Sequence, residues 1–269
     1  MESDLLQNEY RKLITGNHIL HYHGVLDAYG HLSIRNPLNP ETFILSRQIA
    51  PALISSIDDL VEYYVETGEP LCDAVTDEKR HYSERYIHSA IYRQFAEVNA
   101  VVHSHSEAVL PYTICGVELR ACYHMAGFLS AGGKVSVFDI ANHARPGDGS
   151  DMLVRNTHLG SCLSSYFSTT DKVESSAVLM RGHGFTAVGD SVENAVLRAI
   201  YTQKNAAVQT ATITLQAANT GIPARTGGIK YLSEKEAEAA DKMTKWSAER
   251  PWALWVREIQ AAGLYVNHA

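Results

Sequence analysis

The run Ala100-Val101-Val102-His103-Ser104-His105 constrains this chain more than any other. Its apolar residues read as a buried strand, and strand side chains at i and i+2 share a face. His103 and His105 can therefore approach one point in space, while Ser104 faces away. Two neutral imidazoles at one point suit a divalent metal, with each nitrogen about 2.0–2.1 Å from a zinc ion. The tripeptide alone is a weak signal, because a single histidine is more often a hydrogen-bonded core or surface residue. A second apolar run, Ala177-Val178-Leu179-Met180, leads into Arg181-Gly182-His183-Gly184. This reads as a strand ending in a glycine-flanked histidine, where the glycines let the backbone turn sharply and leave room around the ring. Three histidines with an open fourth position describe a catalytic metal site rather than a closed structural one.

Tyr82-Ser83-Glu84-Arg85-Tyr86-Ile87-His88 lies just before the first of these strands. Ser83 is expected to cap a helix whose apolar positions Ile87, Ala90, Ile91 and Phe95 follow a 3.6 period. Glu84 then sits in the first turn, where backbone N–H groups favour an anion. It either does no more than satisfy that helix end, or it joins the metal site.

The 269 residues, 45% of them hydrophobic, fit one large domain spanning 1–269, with 218–269 as a helical extension. A net charge of -7 without a basic cluster argues against nucleic acid as a partner. No run of about 18 apolar residues is present, so no membrane span is expected. The polar start Met1-Glu2-Ser3-Asp4 predicts no secretory leader. Cys72, Cys115, Cys122 and Cys162 lack C-x-x-C spacing and read as reduced thiols of a cytoplasmic protein.

Taken in order, the chain opens with a helix carrying Leu6, Tyr10, Leu13 and Ile14, expected to stop near Gly16-Asn17 or a few residues later. His18, His21 and His23 follow and are expected to make ordinary polar contacts, with a metal site as the rarer alternative. Gly30–Arg35 and Thr42–Leu45 predict a hairpin around the turn-rich 36–40, and Leu60–Val65 a further strand. Val135–Val137 predicts a short strand, Ala144–Ser150 a loop, and Asp151–Phe167 a helix. On that helix Arg155 is either an anion anchor or part of a solvated face. Asp190-Ser191-Val192-Glu193 and Ser233-Glu234-Lys235-Glu236 predict capping boxes. Residues 218–228 are rich in Gly, Pro and Thr and read as a linker. Trp246, Trp252 and Trp255 in the last helices need a surface to cover: this subunit's core, a neighbour, or the mouth of the site.

Taken together and in this order, S-E-x-x-x-H, N-A-V-V-H-S-H and R-G-H-G resemble the class II aldolase/adducin family, over roughly Leu5 to Gln216. The resemblance implies a three-layer α/β/α fold with a mixed, mostly antiparallel central sheet. It implies one divalent metal ion per subunit, held by His103, His105 and His183, with zinc first and manganese, iron or cobalt as alternatives. It makes Glu84 the acid/base. It also implies a homotetramer with sites at subunit interfaces, so that a neighbour supplies some catalytic groups. The small-molecule substrate is the only other partner expected.

Departures from the family pattern narrow the reaction. The phosphate-using aldolases carry G-N-x-S, a Thr-Gly pair and Ser-Ser where this chain has Gly30-His31-Leu32-Ser33, Ser46-Arg47-Gln48 and Tyr82-Ser83. Of that cradle, Ser33 and Ser83 persist as candidate substrate contacts, and His31, Arg47 and Tyr82 replace the rest. Arg47 offers a fork for a carboxylate, or else pairs with an acidic neighbour. His124 falls roughly where the aldolases place a catalytic tyrosine, and it can donate a proton near neutral pH. A divalent ion chelated by a substrate oxygen stabilises the enolate left when a neighbouring C–C bond breaks. These residues, with Tyr123–Phe128 and Arg198–Thr202, look more like the branch that decarboxylates hydroxylated aromatic or hydroxypyridine carboxylates. The expected function is therefore non-oxidative decarboxylation of a small hydroxylated aromatic or cyclic acid. One alternative is a class II retro-aldolase acting on a non-phosphorylated hydroxy-ketone. A lower-ranked one is a non-catalytic adducin-like binding module.

Overall fold

The computed structural model describes residues 2–71, 81–131, 135–218 and 228–269. Cys72 and most of the expected linker lie outside the described residues. Among those described, seven strands form one sheet: β1 (His31–Arg35), β2 (Thr42–Ser46), β3 (Leu60–Tyr64), β4 (Ala100–Ser104), β5 (Val137–Phe138), β6 (Ala177–Met180) and β7 (Gly184–Gly189). Their order is β3-β2-β1-β4-β7-β6-β5, antiparallel throughout except for the parallel β5–β6 pair. The expected hairpin is β1–β2, with Ser33 opposite Leu45.

Strand parity divides the sheet between two apolar cores. Val102, Leu32, Ile34, Leu179 and Phe185 face one side. Packed there are α1 (Glu2–Tyr22), α6 (Val192–Ala218) and α8 (Glu249–Ala262). Val101, Phe43, Leu45, Val178 and Val188 face the other side, with α2 (Arg85–Gln94) and α5 (Thr157–Ser164). The result is the expected three-layer α/β/α arrangement. The shorter α3 (Leu110–Ile114) and α4 (Phe128–Ala131) lie in the connections, and α7 (Glu234–Trp246) rests on α4.

One local expectation is sharpened and two are corrected. First, α1 runs through Gly16 and ends at Tyr22, a few residues beyond the Gly16-Asn17 pair. A Cβ at Gly16 would come within 2.6 Å of Leu32 Cδ2 and 3.2 Å of Val192 Cγ1, so this glycine marks a close helix crossing and not a stop. Second, residues 151–156 are not helical; α5 starts at Thr157, where the Asn156 side chain accepts from the Leu159 amide at 2.9 Å. Arg155 is exposed and paired with Asp151. Third, Ser191 caps α6 by accepting from Asn194 N at 3.2 Å, while Glu193 pairs with Lys12 at 3.0 Å instead of closing a box. The Ser233–Glu236 box forms as expected. Of the tryptophans, Trp255 is buried in the α1/α6 core and Trp252 packs against it, whereas Trp246 is 87% exposed. No described helix is long and apolar enough to cross a membrane.

Candidate metal centre

β4 supplies His103 and, one step beyond its end, His105. His183 sits in the three-residue turn of the β6–β7 hairpin, closed by the Met180–Gly184 pair. Both glycines beside it have left-handed backbone, with φ of +63° at Gly182 and +146° at Gly184. The need at Gly184 is acute, since a Cβ there would lie 1.9 Å from the Ser104 carbonyl oxygen. The glycine thus makes room for the neighbouring strand more than for the imidazole. Glu84 comes from the start of α2, on the face that covers His103. It is itself the N-cap residue and makes no side-chain cap bond, so the expected Ser83 cap is not formed. Its carboxylate turns away from the helix end and into the histidines.

The ring nitrogens converge. His105 Nε2 lies 3.2 Å from both His103 Nε2 and His183 Nε2. Glu84 Oε2 is 3.4 Å from His103 Nε2 and 3.6 Å from His183 Nε2, and the four ligand atoms all lie within 4.8 Å of one another. Tetrahedral coordination at zinc–nitrogen lengths sets ligand nitrogens about 3.3 Å apart. For His103 and His105 the contacts around the outer nitrogens leave lone pairs on these Nε2 atoms. Thr186 donates its hydroxyl to Met180 Sδ, so it accepts from His103 Nδ1–H at 3.3 Å and leaves His103 Nε2 bare. His105 Nδ1 lies 3.1 Å from Asp27 Oδ2 and donates to it, and Asp27 Oδ1 is fixed by the amides of Tyr29 and Gly30 at 2.8 Å each. Lone pairs of neutral imidazoles turned on one another beside a carboxylate fit a divalent cation, and the Asp27 and Thr186 contacts fit the support such ligands need.

Protonation states agree with that geometry. Burial and the neighbouring His103 push His183 down to about 4. Burial and His103 also lower His105, against the pull of Asp27. Burial alone would raise Glu84, but facing His103 and His183 and accepting from the Val154 amide at 3.1 Å hold it at about 2. For His105, His183 and Glu84 these directions favour the ligating forms, a neutral imidazole and an ionised carboxylate.

The other candidates divide into near and far. His31 is directly opposite His103 across β1–β4, with ring centroids 5.1 Å apart, and Tyr82 packs on His31 at 4.7 Å. The Tyr82 hydroxyl donates to the Ile49 carbonyl at 2.6 Å. Ser83 is half-buried in the turn beside Glu84. Ser33 lies one layer deeper, fully buried, with its hydroxyl taken by His88 and Tyr92. Arg47 commits one nitrogen of its fork to Asp59. His124 is exposed in a short turn packed toward α6 and α7, its ring against Tyr123, and is not brought to the histidines of its own chain. Sequence reasoning passed over Asp27 and Thr186, and it quoted His88 in the S-E-x-x-x-H motif without giving it a role. Thr186 is His103's cross-strand partner in β7, a pairing that no single strand reveals. The Asp27-Ala28-Tyr29-Gly30 turn signal was available for Asp27.

Comparison with known proteins gives these features a setting. The family profile described as Class II Aldolase and Adducin N-terminal domain matches residues 11–210. A protein described as decarboxylase tropJ, from Talaromyces stipitatus, is 50% identical over 262 residues, covering 96% of this chain and 97% of that one. A 3,4-dihydroxyphthalate decarboxylase of Arthrobacter keyseri is 29% identical over 184 residues, covering 67% and 64%. Among solved structures, L-fuculose 1-phosphate aldolase from Glaciozyma antarctica superposes with a TM-score of 0.70 at 19% identity, over 97% of this chain and 92% of that one. The protein is therefore an enzyme, a lyase on the decarboxylase side of its relatives, and the non-catalytic alternative falls away. On the profile match and on half-identity to a full-length relative, the chain belongs to the class II aldolase and adducin family.

Proposed function

We propose that this lyase is a divalent-metal-dependent, non-oxidative decarboxylase of a small hydroxylated aromatic or similar cyclic carboxylic acid. One observation carries the reading: a ring nitrogen from each of three histidines and the Glu84 carboxylate converge, their ligand atoms within 4.8 Å of one another. His103, His105 and His183 would hold the ion. Zinc suits the donor set best, and manganese, iron or cobalt accept the same ligands. When bound, the ion supplies a Lewis acid that draws charge from a substrate oxygen beside the carbon that loses its carboxylate.

The chain's own groups then do the rest. Glu84 is ionised and beside the ligand nitrogens, so it can take the proton of a substrate hydroxyl held there. It returns that proton to the ring carbon as CO2 departs, which balances the reaction without an oxidant. His31 and Tyr82 form an aromatic wall next to His103, suited to a planar substrate. Ser83 lies beside Glu84, where a substrate oxygen can reach it. Arg47, half-buried and paired through one guanidinium nitrogen with Asp59, would turn a remaining nitrogen to a substrate carboxylate. His124, exposed and outside the converging cluster of its own chain, suits a contribution to a neighbouring subunit's site in a homotetramer. Likeness to a dihydroxyphthalate decarboxylase supports a hydroxylated aromatic acid as the substrate class. Cys115, Cys122 and Cys162 are free thiols, in keeping with a reducing compartment such as the cytoplasm.

The test is product analysis in heavy water, with metal-loaded protein and a panel of hydroxylated aromatic acids. The expected products are CO2 and an arene bearing one deuterium on the carbon that lost it. An aldehyde released from a hydroxy-ketone, with no CO2 from any acid in the panel, would establish the retro-aldol reaction instead.

A further inference from the structure

Behind the metal centre lies a chain of buried polar side chains. α2 and its cap residue place Glu84, His88 and Tyr92 four residues apart, so all three face the sheet. β1 places His31 and Ser33 on the side that meets them. His88 Nε2 is 2.7 Å from His31 Nδ1, His88 Nδ1 is 2.5 Å from Ser33 Oγ, and Ser33 Oγ is 2.8 Å from the Tyr92 hydroxyl. All four residues are at most 2% exposed.

At that depth an unpaired donor is costly, so the protons can be counted. The Tyr92 hydroxyl has no acceptor among the described residues other than Ser33 Oγ, so it donates there. Ser33 must then spend its one proton on His88 Nδ1. A His88 ring that accepts at Nδ1 carries its proton on Nε2 and donates to His31 Nδ1. His31 is left with its own proton on Nε2. The reverse direction would strand the Tyr92 proton in the core. This order pairs every donor along the chain except the Nε2–H of His31, which is left at the end beside His103.

His31 Nε2 makes no hydrogen bond to a described residue, and its ring is the cross-strand neighbour of the ligand His103. We propose that the Tyr92–Ser33–His88 relay locks His31 as the neutral Nε2–H tautomer and makes that N–H a fixed donor to a substrate oxygen adjacent to the one that meets the metal. The donor half of this rests on the decarboxylase reading, and the tautomer half does not. His88, Ser33 and Tyr92 are then positioning residues, and His31 selects substrates with two neighbouring oxygens. A substrate with C–H at the second position leaves the donor unpaired and is rejected.

Nitrogen-15 NMR of the histidine-labelled, zinc-loaded protein tests both halves, with 2,3-dihydroxybenzoate as the probe. The His31 signals, assigned by their loss in His31→Asn, should show a protonated Nε2 and a bare Nδ1. Adding the probe should shift the Nε2–H signal, and His31→Asn should bind the probe about tenfold more weakly. His88→Gln, whose amide can still donate to His31, should keep the tautomer; His88→Leu should let the Nδ1–H form appear. If His88→Leu does not fold, Ser33→Ala removes the donor to His88 with a smaller change in volume and should have the same effect. A wild-type His31 protonated on Nδ1, or on both nitrogens, overturns the relay, as does an unchanged tautomer in both His88→Leu and Ser33→Ala. A locked tautomer that ignores the probe overturns the donor role. CO2 release is not read here, so failure of the decarboxylase reading in the product assay stays distinct from these outcomes.

Discussion

Two clusters of three histidines stand in this chain, and among the described residues only one of them brings its ligand atoms together as a cation site would need. His18, His21 and His23 are close in sequence at the end of α1, yet each finds its own partner. His18 Nε2 lies 2.7 Å from the Ile54 carbonyl, His21 Nδ1 lies 2.9 Å from the Tyr265 hydroxyl, and His23 faces Glu258 at 3.4 Å. His103, His105 and His183 span much more of the sequence, yet they turn their Nε2 atoms toward one another, with the outer nitrogens of His103 and His105 tied by Thr186 and Asp27. Proximity along the chain is therefore a poor guide to a metal site. Convergence and orientation matter, and here both come from the sheet: a strand sets two rings on one face and a hairpin brings the third.

Substitutions should separate the clusters by size of effect. The largest is expected at Glu84, which faces two histidines at once, whereas Glu258 in the other cluster faces His23. Glu84→Gln should lower turnover by about 10²–10⁴-fold while metal content is retained, read by steady-state CO2 release beside metal analysis. Near-normal turnover would return Glu84 to a helix-end role. The next effect is on stability. Both clusters have a left-handed glycine, Gly184 in one and Gly24 in the other, but a Cβ at Gly24 meets nothing within 4 Å. Gly184→Ala should cost roughly 2–5 kcal/mol in urea unfolding, because steric overlap with β4 adds to backbone strain. Asp27→Asn should weaken metal binding by about 10–100-fold in competition with a chelator, by loosening His105 and its protonation pattern. Smallest of all, Gly24→Ala should cost about 1–2 kcal/mol in the same unfolding measurement and leave metal affinity unchanged.

Much of this was legible in the sequence where one element suffices to fix the outcome. The i, i+2 spacing of His103 and His105 encodes a shared face, and Gly182-His183-Gly184 encodes a turn. Glu84 was legible as a residue at a helix start, though Ser83 misled as its cap. Relations between elements were not legible. Thr186 supports His103 only through β4–β7 register, and His31 meets His88 only because α2 lies over β1. That Gly16 marks a close crossing was not legible, because its neighbours Leu32 and Val192 are remote in sequence. Asp151–Arg155 read as helix, yet 151–156 stay irregular, an arrangement in which the Val154 amide meets Glu84. In each case a tertiary partner overrode a sound local preference.

The most direct test of the central claim is metal content per chain in three proteins: wild type, His103→Ala, and the triple substitution of His18, His21 and His23 by Gln. The account predicts one divalent ion in the wild type. It predicts one in the triple variant if that variant folds, and loss of the ion during dialysis against a weak chelator in His103→Ala, since three ligands fall to two. Full metal content in His103→Ala, or loss of the ion in a folded triple variant, would contradict it.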